Sequence, residues 1–193
     1  MPECRPLTAE TWPAYAKLIE AHGGVWGGCW CMVFHPAFTK GTDAAAVAAR
    51  RAEKKALVEA GQAHAALVFD GEACIGWAQF GCREELPQIR SRRAYNGSQG
   101  DAPLPDWRIT CFFTDKGRRR EGVAEVALAG ALQMIAQAGG GTVEGYPEEL
   151  VGQKTSAGFL WSGTAGLFER AGFARDRKIG KHRWVMRRDV AAG

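Results

Sequence analysis

Nothing in the 193-residue sequence is apolar over a long enough stretch to cross a bilayer. No run approaches the ~20 residues a transmembrane helix needs. The opening Met1-Pro2-Glu3-Cys4-Arg5 lacks the basic-then-apolar pattern of a secretory signal, so a cytoplasmic protein with no membrane partner is expected. Cysteine is too sparse for a secreted disulfide scaffold: there are six, and reduced, mostly buried thiols are the expectation. Charge of one sign is also lacking, with 25 Lys and Arg against 21 Asp and Glu. Basic residues gather at 90–93, 116–120 and 175–188, but neither the balance nor any recognisable module is that of a nucleic-acid binder. A small anionic ligand accounts better for one such cluster. No glycine-rich loop ends in Gly-Lys-Ser or Gly-Lys-Thr, which leaves a nucleoside-triphosphate hydrolase without support. No Gly-x-Gly-x-x-Gly follows a strand, and Gly139-Gly140-Gly141 reads as a helix stop. Repeats, low-complexity tracts and a second domain boundary are absent, so residues 1–193 read as one domain.

What is present suits a globular core: 46% of the residues are hydrophobic and 24% charged. Residues 3–7 open a strand. A helix starting at Thr8 and ending at Gly23-Gly24 places Trp12, Tyr15, Leu18 and Ile19 on one face. A glycine- and aromatic-rich stretch, 23–41, follows without a clean period. Thr42-Asp43 begins a second helix, rich in alanine and charge, that runs to Ala60 and stops at Gly61. Residues 64–69 and 73–80 make a hairpin around Asp70-Gly71. The polar, proline-bearing 83–107 is too long for a routine connection and reads as a surface insertion or a lid, with a helical turn near 88–92. A buried strand at 107–114, a basic turn at 115–122 and an amphipathic helix at 123–137 come next. A strand at 142–146, a glycine- and serine-bearing loop, a short helix at 163–171 and strands near 174–179 and 182–187 complete the order. The expected class is α/β, with a mixed, mostly antiparallel sheet of six to seven strands flanked by about four helices.

The chemistry is expected at the turn between the buried strand and the long helix. The first four N–H groups of a helix have no internal partner, and the helix dipole adds partial positive charge there. A glycine at the bend lets a ligand come close, and Lys116, Arg118, Arg119 and Arg120 add charge. These are the ingredients of a diphosphate-binding turn. The residues Arg119-Arg120-Glu121-Gly122-Val123-Ala124 resemble the acyl-coenzyme A turn of the GNAT superfamily of N-acetyltransferases, whose pattern is Gln or Arg, two residues, Gly, one residue, then Gly or Ala. Gly166-Leu167-Phe168-Glu169-Arg170-Ala171-Gly172-Phe173 resembles the family's second landmark, a short helix ending in Gly-Phe. The element order matches as well, and the segment Cys29-Trp30-Cys31-Met32 is similar to one found near the N-terminus of a less characterised branch.

The resemblance implies a single-domain GNAT-like fold splayed between the fourth and fifth strands, and an acetyl-coenzyme A-dependent N-acetyltransferase. Acetyl-coenzyme A is its cosubstrate. Acetyl would pass to a primary amine of a small molecule or a peptide by direct attack in a ternary complex. It further implies that the amides of Arg120, Glu121, Gly122, Val123 and Ala124 hold the diphosphate, with Arg119 and Arg120 as charge partners. Phe112, Phe113 and Thr114 would hold the pantetheine arm, and Phe168 would flank the sulfur. Two departures bear on the chemistry. Phe168 stands where many relatives carry a tyrosine acid, and Trp161 and Ser162 stand where an asparagine is often found. Glu144 and Tyr146 are the candidates for base chemistry, with Glu148 and Glu149 beyond them, and a water chain is the alternative.

For Cys29–His35 three readings compete. A zinc site wants four ligands, and this stretch offers three at most. A redox pair wants Cys-x-x-Cys rather than Cys-x-Cys. The reading that fits best is a wall of the acceptor site made by Trp26, Trp30, Cys31, Phe34 and His35, with no metal. The alternatives to an enzyme are a catalytically silent acyl-coenzyme A-binding module and a zinc-bearing regulator. A homodimer is left open.

Overall fold

The computed structural model describes residues 2–150 and 160–193. Seven strands form one sheet in the order β1-β2-β3-β4-β5-β7-β6. They are β1 (Glu3–Pro6), β2 (His64–Asp70), β3 (Ala73–Cys82), β4 (Trp107–Thr114), β5 (Gly141–Gly145), β6 (Ala174–Lys178) and β7 (Trp184–Val190). The helices are α1 (Trp12–Ala21), α2 (Ala44–Glu59), α3 (Arg92–Gln99), α4 (Val123–Gln137) and α5 (Ala165–Arg170). One face of the sheet packs α1, the end of α2 and residues 25–34. The other packs α4 and α5. Every adjacent strand pair is antiparallel except β4 with β5. Among the described residues no helix is long and apolar enough to cross a membrane.

The hairpin forms with Gly71-Glu72 as its two-residue loop, Gly71 sitting at φ +58°. The first helix begins at Trp12, four residues later than Thr8. The Thr11 hydroxyl donates to the Pro6 carbonyl and accepts from the Thr8 amide, both at 2.8 Å, and this holds 8–11 as a turn. The insertion at 83–107 carries α3, a helix of eight residues where a single turn is expected further upstream. Among the described residues five helices flank the sheet, in keeping with the about four expected. The loop expected before α5 falls largely at 151–159, outside the described residues.

Two features position the site. First, β4 and β5 pair through only three residues, Trp107–Val143, Arg108–Glu144 and Ile109–Gly145. Beyond Ile109, β4 runs on to Thr114 without β5, so the sheet splays there as expected. The Phe168 ring fills the wedge. It is fully buried, lies 5.8 Å edge-on from Phe112, and sits so tightly on Gly145 that any Cβ there would overlap it. A bulge just before the splay leaves Thr110 without a partner on β3.

Second, α2 buries a stripe at every fourth residue: Ala46, Arg50, Lys54 and Val58. Asp43 caps this helix by accepting from the Ala46 amide. The Arg50 guanidinium then organises the glycine-rich 23–41 stretch. It donates to the carbonyls of Gly28 and Thr39 at 2.7 Å each, and to Gly41 at 2.9 Å. Arg50→Met would strand the buried Gly28 carbonyl and the less buried carbonyls of Thr39 and Gly41, and an unmet buried polar group costs about 1–3 kcal/mol. The expected outcome is a loss of about 3 kcal/mol in urea unfolding, with early proteolytic cutting inside 23–41. A loss no larger than that of Arg51→Met, whose side chain is exposed, would contradict the assignment.

Candidate functional site

A cleft of about 460 Å³ opens where β4 leaves β5. Its walls combine Phe112, Phe113 and Thr114 of β4, Arg119, Arg120 and Ala124 of the turn and α4, and Trp26 of the loop over the opposite face. Leu160, Trp161, Gly163, Thr164, Leu167 and Arg170 close the far side. A second depression, of about 720 Å³, lies between α4, α5 and the end of β7, away from the splay.

The turn has the backbone of an anion cradle. Asp115 caps a short 3-10 turn at Lys116–Arg118 by accepting from the Gly117 amide at 2.7 Å. That hydrogen bond chiefly holds the Asp115 carboxyl below its usual range, with His22 assisting at 3.3 Å. Arg120 and Gly122 then adopt left-handed backbone, at φ +69° and +76°. Gly122 is the N-cap of α4 and no side chain caps the helix, so its first amides are left for a ligand. Val123 locks the helix start by packing into Gly76, where an added Cβ would lie 2.6 Å from a Val123 methyl.

The arginines divide. Arg118 is committed to Asp70 at 2.8 Å and Glu121 at 2.7 Å, and Arg170 to Glu125 at 2.7 Å. Arg119 and Arg120 are exposed, and among the described residues they form no ion pair. Of the turn's arginines, these two are left free to meet a ligand.

Along β4 the Phe112 amide points into the splay, where it donates to the Trp161 carbonyl at 2.6 Å. The side-chain and amide period of a strand aims the Thr114 amide the same way. The chain's own backbone thus occupies one of the groups that a bound acyl carrier would use. Trp161, Leu160, Thr164 and Arg170 were not among the expected site residues. Trp161 was noted only as standing in place of an asparagine, and no local period marks the others.

Several expectations are corrected. Glu144 and Tyr146 do not open into the cleft. The Glu144 carboxylate is fully buried and receives the hydroxyls of Tyr95 at 2.8 Å and Tyr146 at 3.0 Å, with Arg187 at 3.1 Å. Burial, and then Glu144, push the Tyr146 hydroxyl well above its ordinary range. Both hydroxyls go to Oε2, while Oε1 meets Arg187, and Arg177 at 3.8 Å, only as ion pairs, and the carboxylate lies beneath α3 rather than in the cleft. Glu148 is likewise paired, with Arg183. Phe168 does not line the cleft: its ring is buried against Gly145 and Phe112. Trp30, Cys31, Phe34 and His35 do not wall the cleft either: each is 5% exposed or less and belongs to the core. Only Trp26 of that group lines it, edge-on to Phe113 at 6.4 Å.

That core hides a polar cluster. Lys54, fully buried, donates to Gln79 Oε1 at 2.9 Å and to His35 Nε2 at 3.0 Å. Gln79 passes the chain on to Thr110 at 3.2 Å, at the bulge. Burial pushes Lys54 down to about 8. Burial, and then the Lys54 ammonium, push His35 down to about 3. Among the described residues no group of three or more His, Cys, Asp or Glu side chains converges as a metal site.

No protein-family model matches the chain, and no curated protein matches it. Solved structures do, GNAT-family acetyltransferases among them, and this chain's mixed sheet with its parallel pair at β4 and β5 has that fold. The chain is similar to the histone acetyltransferase HPA2 and related acetyltransferase from Corynebacterium glutamicum, with a TM-score of 0.54 and 18% identity over 98% of this chain and 97% of that one. It is similar to a GNAT-superfamily phosphinothricin acetyltransferase from Sinorhizobium meliloti in complex with acetyl-coenzyme A, with a TM-score of 0.53 and 12% identity over 100% and 90%. It is also similar to the PaiA N-acetyltransferase from Thermoplasma acidophilum in complex with coenzyme A, with a TM-score of 0.50 and 12% identity over 98% and 99%. At these identities the likeness is one of fold.

The buried histidine makes stability depend on acid. An unfolded His35 takes up its proton near 6.5, whereas the folded imidazole resists down to about 3. Between those values the unfolded chain binds more protons, so stability falls as the pH drops from 6.5 toward 3. His35→Asn removes this contribution. Urea unfolding of wild type and variant is expected to differ in acid sensitivity by about 2 kcal/mol at the middle of that window, the wild type losing more.

Proposed function

We propose that the protein is an acetyl-coenzyme A-dependent N-acetyltransferase, one domain over residues 1–193, that acetylates a primary amine. The observation that carries this reading is the uncapped start of α4, with two unpaired arginines beside it, at the mouth of the splay. The likeness in fold to proteins solved with coenzyme A or acetyl-coenzyme A supports it.

In this reading the diphosphate sits on the amides from Arg120 to Ala124, with Arg119 and Arg120 as charge partners. The pantetheine lies along Phe112–Thr114. The thioester carbonyl takes the Phe112 amide in exchange for the Trp161 carbonyl, and that amide then stabilises the oxyanion as the amine attacks. The tetrahedral intermediate collapses with coenzyme A thiolate as the leaving group. The proton lost by the amine goes to water, since the acidic side chains expected for the task are engaged elsewhere. Trp26, Phe113 and Trp161 give the cleft an aromatic lining, which favours an acceptor amine with an apolar part, small or peptidic. Membrane and nucleic acid have no role in this reading. A cytoplasmic setting suits the six free thiols.

A second reading is favoured by one observation. Phe168, Glu144 and Tyr146 are all withdrawn from the cleft, so a silent acyl-coenzyme A-binding module is the competitor. Release of free coenzyme A over a panel of amines separates the two.

Calorimetric titration with coenzyme A is expected to give heat, and thermal unfolding to rise in its presence. The Arg119→Ala, Arg120→Ala double variant should bind about ten- to hundredfold more weakly. Its unliganded melting temperature should stay unchanged, because both side chains are exposed. Neither heat nor thermal protection in the wild type would overturn the reading.

A further inference from the structure

Cys31 and Cys111 stand 80 residues apart in sequence, yet the Cys31 thiol donates to the Cys111 sulfur at 3.2 Å. Both are buried. Cys31 ends the glycine-rich stretch before a 3-10 turn, and Cys111 lies on β4, one residue from Phe112. A disulfide needs a sulfur separation of about 2.05 Å, so the two atoms must close by about 1 Å. Cys31 is held in left-handed backbone at φ +56°, as are Trp30, Val25 and Trp26 in the same segment. This loop is the element able to yield. Among the described residues no other thiol has a sulfur as hydrogen-bond partner: Cys74 donates to the Gly76 carbonyl, at 3.6 Å, and Cys29, half-buried near Cys31, has no such bond.

We infer that Cys31 and Cys111 form a reversible dithiol–disulfide site, oxidised by a hydroperoxide and reduced by a small thiol, with Lys54 as the cation that activates Cys31. A thiolate on Cys31 accepts from Cys111, and the hydrogen bond and the nearby Lys54 charge both lower its pKa. A buried ammonium with two neutral acceptors, His35 and Gln79, and among the described residues no carboxylate in an ion pair with it, is otherwise costly to keep. Its charge is put to use when it faces a thiolate. The Cys31 thiolate attacks one oxygen of the hydroperoxide and breaks the O–O bond. Hydrogen peroxide thus yields the sulfenic acid at Cys31 and hydroxide, which takes up a proton to become water. The Cys111 sulfur then attacks the sulfenic sulfur, the S–S bond forms, and a second water leaves with the Cys111 proton. The bond ties the 23–41 loop to β4 beside the splay. None of this depends on what the cleft binds.

The test exposes the full-length protein to hydrogen peroxide, blocks remaining thiols with N-ethylmaleimide under denaturing conditions, and maps the peptides. The expected product is a Cys31–Cys111 cross-link that dithiothreitol reverses, with Cys4, Cys29, Cys74 and Cys82 alkylated. Cys29→Ser should form the same link. Lys54→Met should form it about tenfold more slowly, through a thiol pKa raised by about one unit, and Lys54→Arg should restore the rate. Recovery of Cys31 and Cys111 as alkylated thiols after peroxide treatment overturns the inference. So does a Cys29–Cys31 link, or irreversible sulfinic acid at Cys31 with no cross-link. These outcomes are read in the wild-type chain and need no variant to fold.

Discussion

The parting of β4 from β5 is the constraint on which the molecule turns. Here the parallel pairing stops after three residues, and Phe168 packs on Gly145, the last paired residue of β5. Everything that gives the cleft its character lies along the freed edge of β4: the outward amide of Phe112, the turn that follows, and the uncapped start of α4.

Below that edge the structure places an unusual weight of buried polarity. Arg50 and Lys54 come from one helical stripe and serve different ends. Arg50 spreads its charge over loop carbonyls and fixes the 23–41 path. Lys54 faces His35 and Gln79. On the far side of the splay, Glu144 gathers two tyrosine hydroxyls and an arginine beneath α3. The fold thus keeps its ionisable side chains in closed networks. What it leaves to the cleft is backbone amides, aromatic rings and two free guanidinium groups.

The legible parts were those written in local pattern. The hairpin expected at Asp70-Gly71, which turns one residue later at Gly71-Glu72, the apolar period of α4, the stop at Gly61 and the basic turn before Gly122 all depend on neighbours in sequence, and all four form. Glu144 reads as a base candidate because its strand, β5, borders the splay. Its burial depends on Tyr95, 49 residues away in a helix that the polar 83–107 stretch does not advertise. Lys54 sits among exposed charges on α2, and only the four-residue stripe through Ala46, Arg50 and Val58 hints that it turns inward. The aromatic run around Trp30 was taken as a pocket wall. Aromatic side chains are as ready to fill a core, and stacking of Trp30 on Trp12 at 5.7 Å decided it. Partners distant in the chain leave no local signature, and that is where sequence reading failed.

The Trp161 carbonyl on the Phe112 amide has a consequence for the empty protein. A strand edge with bare N–H groups is a template on which any extended chain can lay itself down. By covering the Phe112 amide with its own main chain, the protein shortens the bare seam it presents to its neighbours in solution. The same stopper is exchangeable, because one carbonyl replaces another at little enthalpic cost, so guarding the seam and admitting a guest are compatible duties of a single hydrogen bond.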